Sequence, residues 1–183
     1  RRLVVLVAIA TVPVVLVGAA VSGVLDGLRR LDVIGWTMLV FGVALWVADQ
    51  RCRAHRPLEA LGVSGALAIG CAQVLALVPG TSRAGITMTA ARVLGLERTA
   101  AARFSMLLSI PTITAAGLLL GVELVRLGEL ALTRDALVGG ALAFVSALVA
   151  IILMMRWLRH ASFTPFVVYR VALGLVLLAV AYG

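Results

Sequence analysis

The sequence predicts an all-α integral membrane protein, a polytopic helical bundle with a re-entrant helix pair. Three observations predict it. Of 183 residues, 63% are hydrophobic and only 13% charged, whereas a soluble domain carries about 25% charged residues. A domain of this length exposes roughly a third of its unfolded surface, so one core cannot hide that apolar excess. The apolar residues also fall into runs near the length of a bilayer crossing, about 20 residues, and no sustained period-2 alternation argues for strands. An ordinary soluble domain and a disordered chain are excluded.

The elements follow in order. The first run, Leu3 to Leu25, carries Pro13 as a kink position. It exceeds the 7–15 residues of a signal-peptide core, and the chain opens Arg1-Arg2-Leu3 without a methionine, as a fragment or processed product would. Val33 to Ala48 is short but spans with some bilayer adjustment. Leu58 to Val78 is rich in small residues; Pro79-Gly80-Thr81-Ser82 then breaks the helix, and a short helix from Ser82 to Leu94 is expected to end at Gly95. Ala101–Val122, Ala136–Met155 and Phe166–Tyr182 complete the set.

The formal net charge is +8 and all 16 basic residues are arginine. They are scattered between apolar runs, with no basic patch interleaved with aromatics, which argues against nucleic-acid binding. If residues 58–94 enter and leave on one face, one side holds Arg1, Arg2, Arg51, Arg53, Arg56, Arg98, Arg156 and Arg159. The other holds Arg29, Arg30, Arg126 and Arg134, diluted by Asp26, Asp32, Glu123, Glu129 and Asp135. That split is 8 against 4; a single crossing there makes it 7 against 5. The positive-inside rule prefers the first, with the carboxyl terminus outside. Ser82–Leu94 is too short to cross alone, so a re-entrant hairpin fits best.

Small residues recur every four positions at Gly62, Ala66 and Gly70, at Gly139, Ala143 and Ala147, and at Gly117 and Gly121. Such spacing suits close helix approach, either at a homodimer interface or, with greater weight, within one bundle. Cys52, in an arginine-rich loop, and Cys71, in an apolar run, suggest neither a disulfide framework nor a metal site.

The chemistry concentrates in Pro79-Gly80-Thr81-Ser82-Arg83-Ala84-Gly85-Ile86-Thr87. Irregular backbone at membrane depth is tolerated only where it lines a cavity or is buried in protein, and an arginine there marks a functional site. The parts suit an anion. Gly80 admits close backbone approach. Ser82 can cap the following helix, whose amino-terminal N–H groups favour negative charge. Arg83 offers a planar fork for phosphate oxygens, and Thr87, four residues on, shares its face. The competing reading is a plain turn with Arg83 snorkelling to an interface. No Walker loop is present.

This stretch resembles the Pro-Gly-x-Ser-Arg-Ser-Gly-x-Thr motif of the bacterial undecaprenyl-diphosphate phosphatase family, the bacitracin-resistance proteins. The likeness extends over Ala10-Thr11-Val12-Pro13, Ile69–Gln73, Ala101–Pro111 and Phe163–Arg170, and so over essentially the whole chain in order. The resemblance implies a hydrolase of the plasma (inner) membrane of a bacterial cell. It would remove the terminal phosphate of undecaprenyl diphosphate and return the lipid carrier to cell-wall synthesis. It implies two inverted repeats, each with a re-entrant pair, and a site open to the outer face. Residues 1–57 are then the remainder of the first repeat, and residues 58–183 the second, with its re-entrant pair at 58–95. By the same resemblance Gly80, Thr81, Ser82, Arg83 and Thr87 bind the phosphate, and Ser82, Arg83 and Thr87 carry the catalytic roles. Arg170 is a candidate second phosphate contact, against the alternative of an interface anchor. Mg²⁺ or Ca²⁺ is the implied cofactor.

Two departures stand out. Ala84 replaces a common second serine, and the family's glutamate pair and histidine, expected before Arg1, have no counterpart. His55 and His160 sit in arginine-rich loops, and Glu97, Glu123 and Glu129 look like loop charges. The expectation is that these 183 residues alone are inactive or nearly so. Without the resemblance, a transporter or flippase for an anionic polyprenyl lipid fits the missing acid–base pair better, and an inactive remnant is a third reading. Arg92 is expected to snorkel at a helix end rather than face the cavity, Arg103 to lie at the interface, and Gln73 to hydrogen-bond across helices.

Overall fold

In a computed structural model, residues 1–21, 25–52, 56–126 and 134–183 are described. Arg53, His55 and Glu129 fall outside them, as do the side chains of Asp26, Glu123, Arg134 and Asp135. The described residues form seven α-helices and no strand: α1 Arg2–Val21, α2 Leu31–Arg51, α3 Val63–Val74, α4 Arg83–Val93, α5 Arg98–Arg126, α6 Arg134–Trp157 and α7 Thr164–Tyr182. Five are long and apolar enough to cross a membrane, and the protein is an all-α, multi-pass membrane protein. α2 and α5 run several residues beyond the apolar runs, to Arg51 and from Arg98 to Arg126. Their terminal turns are built from charged residues, which hydropathy alone does not count.

The two shortest helices, α3 and α4, have 12 and 11 residues. At 1.5 Å per residue each spans about 16–18 Å, little more than half of the roughly 30 Å hydrocarbon core. They are joined by a 3₁₀ turn at Leu75–Leu77 and the bend at 78–82. α4 stops where Gly95 takes a φ of 87°. The N–H of Gly95 bonds the Arg92 carbonyl and that of Leu96 the Ala91 carbonyl, at 2.9 and 3.0 Å. This pair of bonds is the Schellman motif, which satisfies carbonyls the helix leaves orphaned.

The small-residue repeats behave differently from one another. Ala66 is fully buried, and a Cβ on Gly70 would meet the Ala10 carbonyl oxygen at 2.3 Å, so α3 lies backbone to backbone on α1. The other two repeats correct the expectation of packing within one bundle. Ala143 and Ala147 are exposed, and Cβ atoms on Gly117, Gly121 and Gly139 would meet nothing within 4 Å. The reason is the position of α6: within its most apolar window, Val138–Trp157, no residue is buried, and among the described residues Met154 and Met155 at its end pack against the core.

Two buried clusters make the core. One gathers Leu6, Ala10, Ile69, Leu96, Phe104 and Leu108 from α1, α3, α5 and the turn after α4. The other joins Leu45, Met88, Ala102, Phe163 and Val167, so α4 is gripped between α2, α5 and α7.

A buried ion cluster ties the same helices at their other end. Asp49, in the last turn of α2, has a side chain only 1% exposed. Its Oδ1 accepts from Arg98 Nε at 2.7 Å and lies 3.2 Å from Arg92 Nε, while Oδ2 accepts the backbone N–H of Phe163 at 3.3 Å. Arg92 also donates to the carbonyls of Leu96 and Asp49. The expectation that Arg92 snorkels is thus corrected: it is buried, and Asp49, at the opposite end of α2 from that helix's other carboxylate, Asp32, supplies the compensating charge. Gln73 does bond across helices, donating from Nε2 to Thr112 Oγ1 of α5 at 3.1 Å.

Candidate active site

Gly80 has a φ of 87°, and a Cβ there would stand 2.2 Å from Thr37 Oγ1 and 2.6 Å from the Ile34 carbonyl oxygen. The bend is therefore pressed against α2, and only glycine meets both demands. Thr37 Oγ1 lies 2.7 Å from the Pro79 carbonyl, to which it can donate. From the opposite side Arg170, in α7 and only 8% exposed, reaches in. Its Nη2 donates to the carbonyls of Gly80 and Thr81 at 2.9 and 2.8 Å. α2 and α7 can bring these two residues to one bend because they pack closely at Gly35 and Gly174, where either Cβ would stand 3.1 Å from the other's carbonyl oxygen.

Ser82 follows with φ 66° and ψ 110°. It is the single described non-glycine residue at positive φ, a conformation that costs of order 1–3 kcal/mol and persists only when its surroundings enforce it. The Arg170 and Thr37 contacts supply that enforcement on the preceding residues. Ser82 Oγ caps α4 by accepting the Gly85 N–H at 3.2 Å, and the residue is exposed. Arg83 is half-buried, and its Nη1 is buried without a hydrogen-bond partner. A buried guanidinium donor left unmade is costly, so this is the atom in the bend that a ligand oxygen would satisfy.

The remaining candidates sit deeper. Thr81 is fully buried, its hydroxyl unpartnered and its carbonyl taken by Arg170. Thr87 is 1% exposed. Its hydroxyl lies 2.9 Å from the Arg83 carbonyl and 2.7 Å from Ser105 Oγ of α5. Arg170 sits at the bend itself, and its Nε carries no partner. Thr37 and Ser105 were not signalled by the sequence, because lone hydroxyls inside apolar helices are common and their contacts are long-range. A cavity of about 170 Å³ opens beside the bend, lined by Ser82, Gly85, Tyr169 and Arg170 and otherwise by apolar side chains, with no carboxylate or imidazole. Among the described residues no group of three or more His, Cys, Asp or Glu could hold a metal ion.

Comparison with known proteins agrees with the motif. The family model described as bacitracin resistance protein BacA matches residues 1–176. A protein named undecaprenyl-diphosphatase from Ruegeria pomeroyi is 51% identical over 177 residues, which is 96% of this chain and 66% of the relative. One of the same name from Dinoroseobacter shibae is 54% identical over the same shares, and one from Jannaschia sp. is 48% identical over all of this chain and 69% of its own length. The chain thus spans just under two thirds of the length of the first two relatives.

Proposed function

Because the chain belongs to the bacitracin resistance protein BacA family, we propose that it forms part of an undecaprenyl-diphosphate phosphatase and supplies that enzyme's phosphate-binding bend. The observation that carries this is Arg83 Nη1, buried and unpartnered at the amino-terminal end of α4. The amino-terminal end of α4, the exposed Ser82 hydroxyl that caps it and the guanidinium of Arg83 each favour a phosphate oxygen. In the reaction, water adds to the terminal phosphorus, the bond to the bridging oxygen breaks, and undecaprenyl phosphate and inorganic phosphate leave. Arg83 offsets the charge that grows on the bridging and terminal oxygens, and Ser82 donates to them. Thr87, one turn below, orients the start of α4 through its hydroxyl pair with Ser105. Gly80 and Thr81 contribute backbone shape, and Arg170 holds that shape.

α3 and α4 would form the re-entrant pair, with the carboxyl terminus and the bend toward the outside of the plasma membrane; the 8-to-4 arginine bias and the two short helices support this. The Mg²⁺ or Ca²⁺ that the resemblance implies finds no ligand set among the described residues, and the charged group at the bend is a cation. These described residues do not fit a divalent metal.

The test is phosphate release from undecaprenyl diphosphate by membranes containing the complete protein, with and without Arg83→Ala. Loss of one preorganised donor to the reacting phosphate should cost about 10²–10³-fold in kcat. Full turnover by the Arg83→Ala protein, or passage of the lipid across the bilayer with no phosphate released, would overturn the reading.

A further inference from the structure

The cavity beside the bend is walled almost wholly by apolar atoms. Ser82, Gly85 and Arg170 lie at one end. Leu45 from α2, Met88 from α4, Met154 from α6, and Phe163, Phe166 and Tyr169 at α7 wall most of the rest. Arg170 is more than nine-tenths buried there, and its Nε has no partner. That lining, next to the Ser82 hydroxyl of the bend, suits a small hydrocarbon whose attached anionic group lies outside the cavity, against the bend. The size agrees. An apolar cavity of about 150 Å³ stays dry and takes a six-carbon ring, and this one measures about 170 Å³. A five-carbon branched unit fits; a coiled long chain does not. Two methionines and two phenylalanines give walls that adjust to a flat, unsaturated group.

Resting on the phosphatase reading above, we propose that this cavity is the subsite for the isoprene unit bonded to the diphosphate. It makes Met154 and Phe166 specificity-determining residues. The unit enters between α4, α6 and α7 and so draws the attached phosphates against Ser82 and Arg83. Only the first isoprene unit is recognised in this way; the rest of the chain leaves toward lipid. Met154 explains why α6, otherwise unburied, is brought to the core at its end.

The experiment compares two substrates that differ only in that unit, dimethylallyl diphosphate and methyl diphosphate, with the complete protein in detergent. Phosphate release is measured for the unaltered protein and for Met154→Trp and Phe166→Trp, each of which fills the cavity from a different helix. The ratio of kcat/KM for the dimethylallyl over the methyl substrate should fall about tenfold or more in both variants, as expected when a pocket loses room for a few carbons. Hydrolysis of methyl diphosphate should stay within about twofold, showing the bend intact. An unchanged ratio in both variants, or an equal fall on both substrates, overturns the subsite. If the unaltered protein releases phosphate from undecaprenyl diphosphate but from neither short substrate, the first unit is not what is recognised and the subsite is overturned; release from none of the three overturns the phosphatase reading itself.

Discussion

Arg170 Nη2 lies 2.8 Å from the carbonyl oxygen of Thr81, so a guanidinium from α7 holds the backbone of a bend 89 residues earlier in the chain. The same nitrogen also accommodates the Gly80 carbonyl. A lysine there keeps the charge but not the planar NH₂ group whose two fixed N–H bonds serve the two carbonyls. Arg170→Lys should lose one charge-assisted hydrogen bond, about 1.5–3 kcal/mol, and kcat/KM for phosphate release should drop about ten- to a hundredfold. Wild-type kinetics in Arg170→Lys would remove the clamp from the account.

Ser82 separates stability from activity. Ser82→Gly relieves a positive φ that costs of order 1–3 kcal/mol and loses only a few tenths as a cap. Ser82→Ala keeps the strain and loses the cap, about 0.5–2 kcal/mol. Thermal unfolding in detergent should therefore rank glycine at or above the parent and alanine below it, while both variants release phosphate more slowly. An alanine variant as stable as the glycine variant would show that the cap is idle.

Thr87 and Ser105 share one hydrogen bond across α4 and α5, at 2.7 Å. Thr87→Val and Ser105→Ala should each slow the reaction, and the double variant should be hardly slower than either. A double-mutant cycle then returns a coupling of about 1 kcal/mol. Additive losses would mean that the two hydroxyls act separately.

Asp49 is the carboxylate that keeps Arg92 and Arg98 in place. Asp49→Asn leaves Arg92 buried without its counter-charge, at a cost of about 3–5 kcal/mol. Detergent-solubilised protein carrying it should unfold at clearly lower temperature, whereas Arg30→Ala, which breaks the exposed Arg30–Asp32 pair, should leave the unfolding temperature almost unchanged, because solvent screens that pair. Equal effects would contradict the burial of the Asp49 cluster.

The bend from Pro79 to Thr87 was legible because its signals are local. A proline, two glycines, a serine cap and a charge in an apolar run each carry meaning without reference to distant residues, and Gly95 ends α4 for the same reason. Asp49 gave no such signal. One acidic residue near the end of a helix reads as a solvated terminus, and only the approach of α4, α5 and the start of α7 turns it into a buried counter-ion. The small residues of α6 and of the second half of α5 misled for a related reason. Their spacing permits close packing, but spacing does not supply a partner.

Sequence alone determined the class, the helices and the bend between α3 and α4, because bilayer length, hydrophobicity and helix-breaking residues act on each segment separately. Tertiary structure decided what surrounds the bend. Arg170 and Thr37 clamp the backbone on either side, Ser105 takes the hydroxyl of Thr87, and the apolar cavity forms where four helices meet. Those are pairings between residues tens of positions apart, set by which helix faces pack together, and no local pattern encodes them.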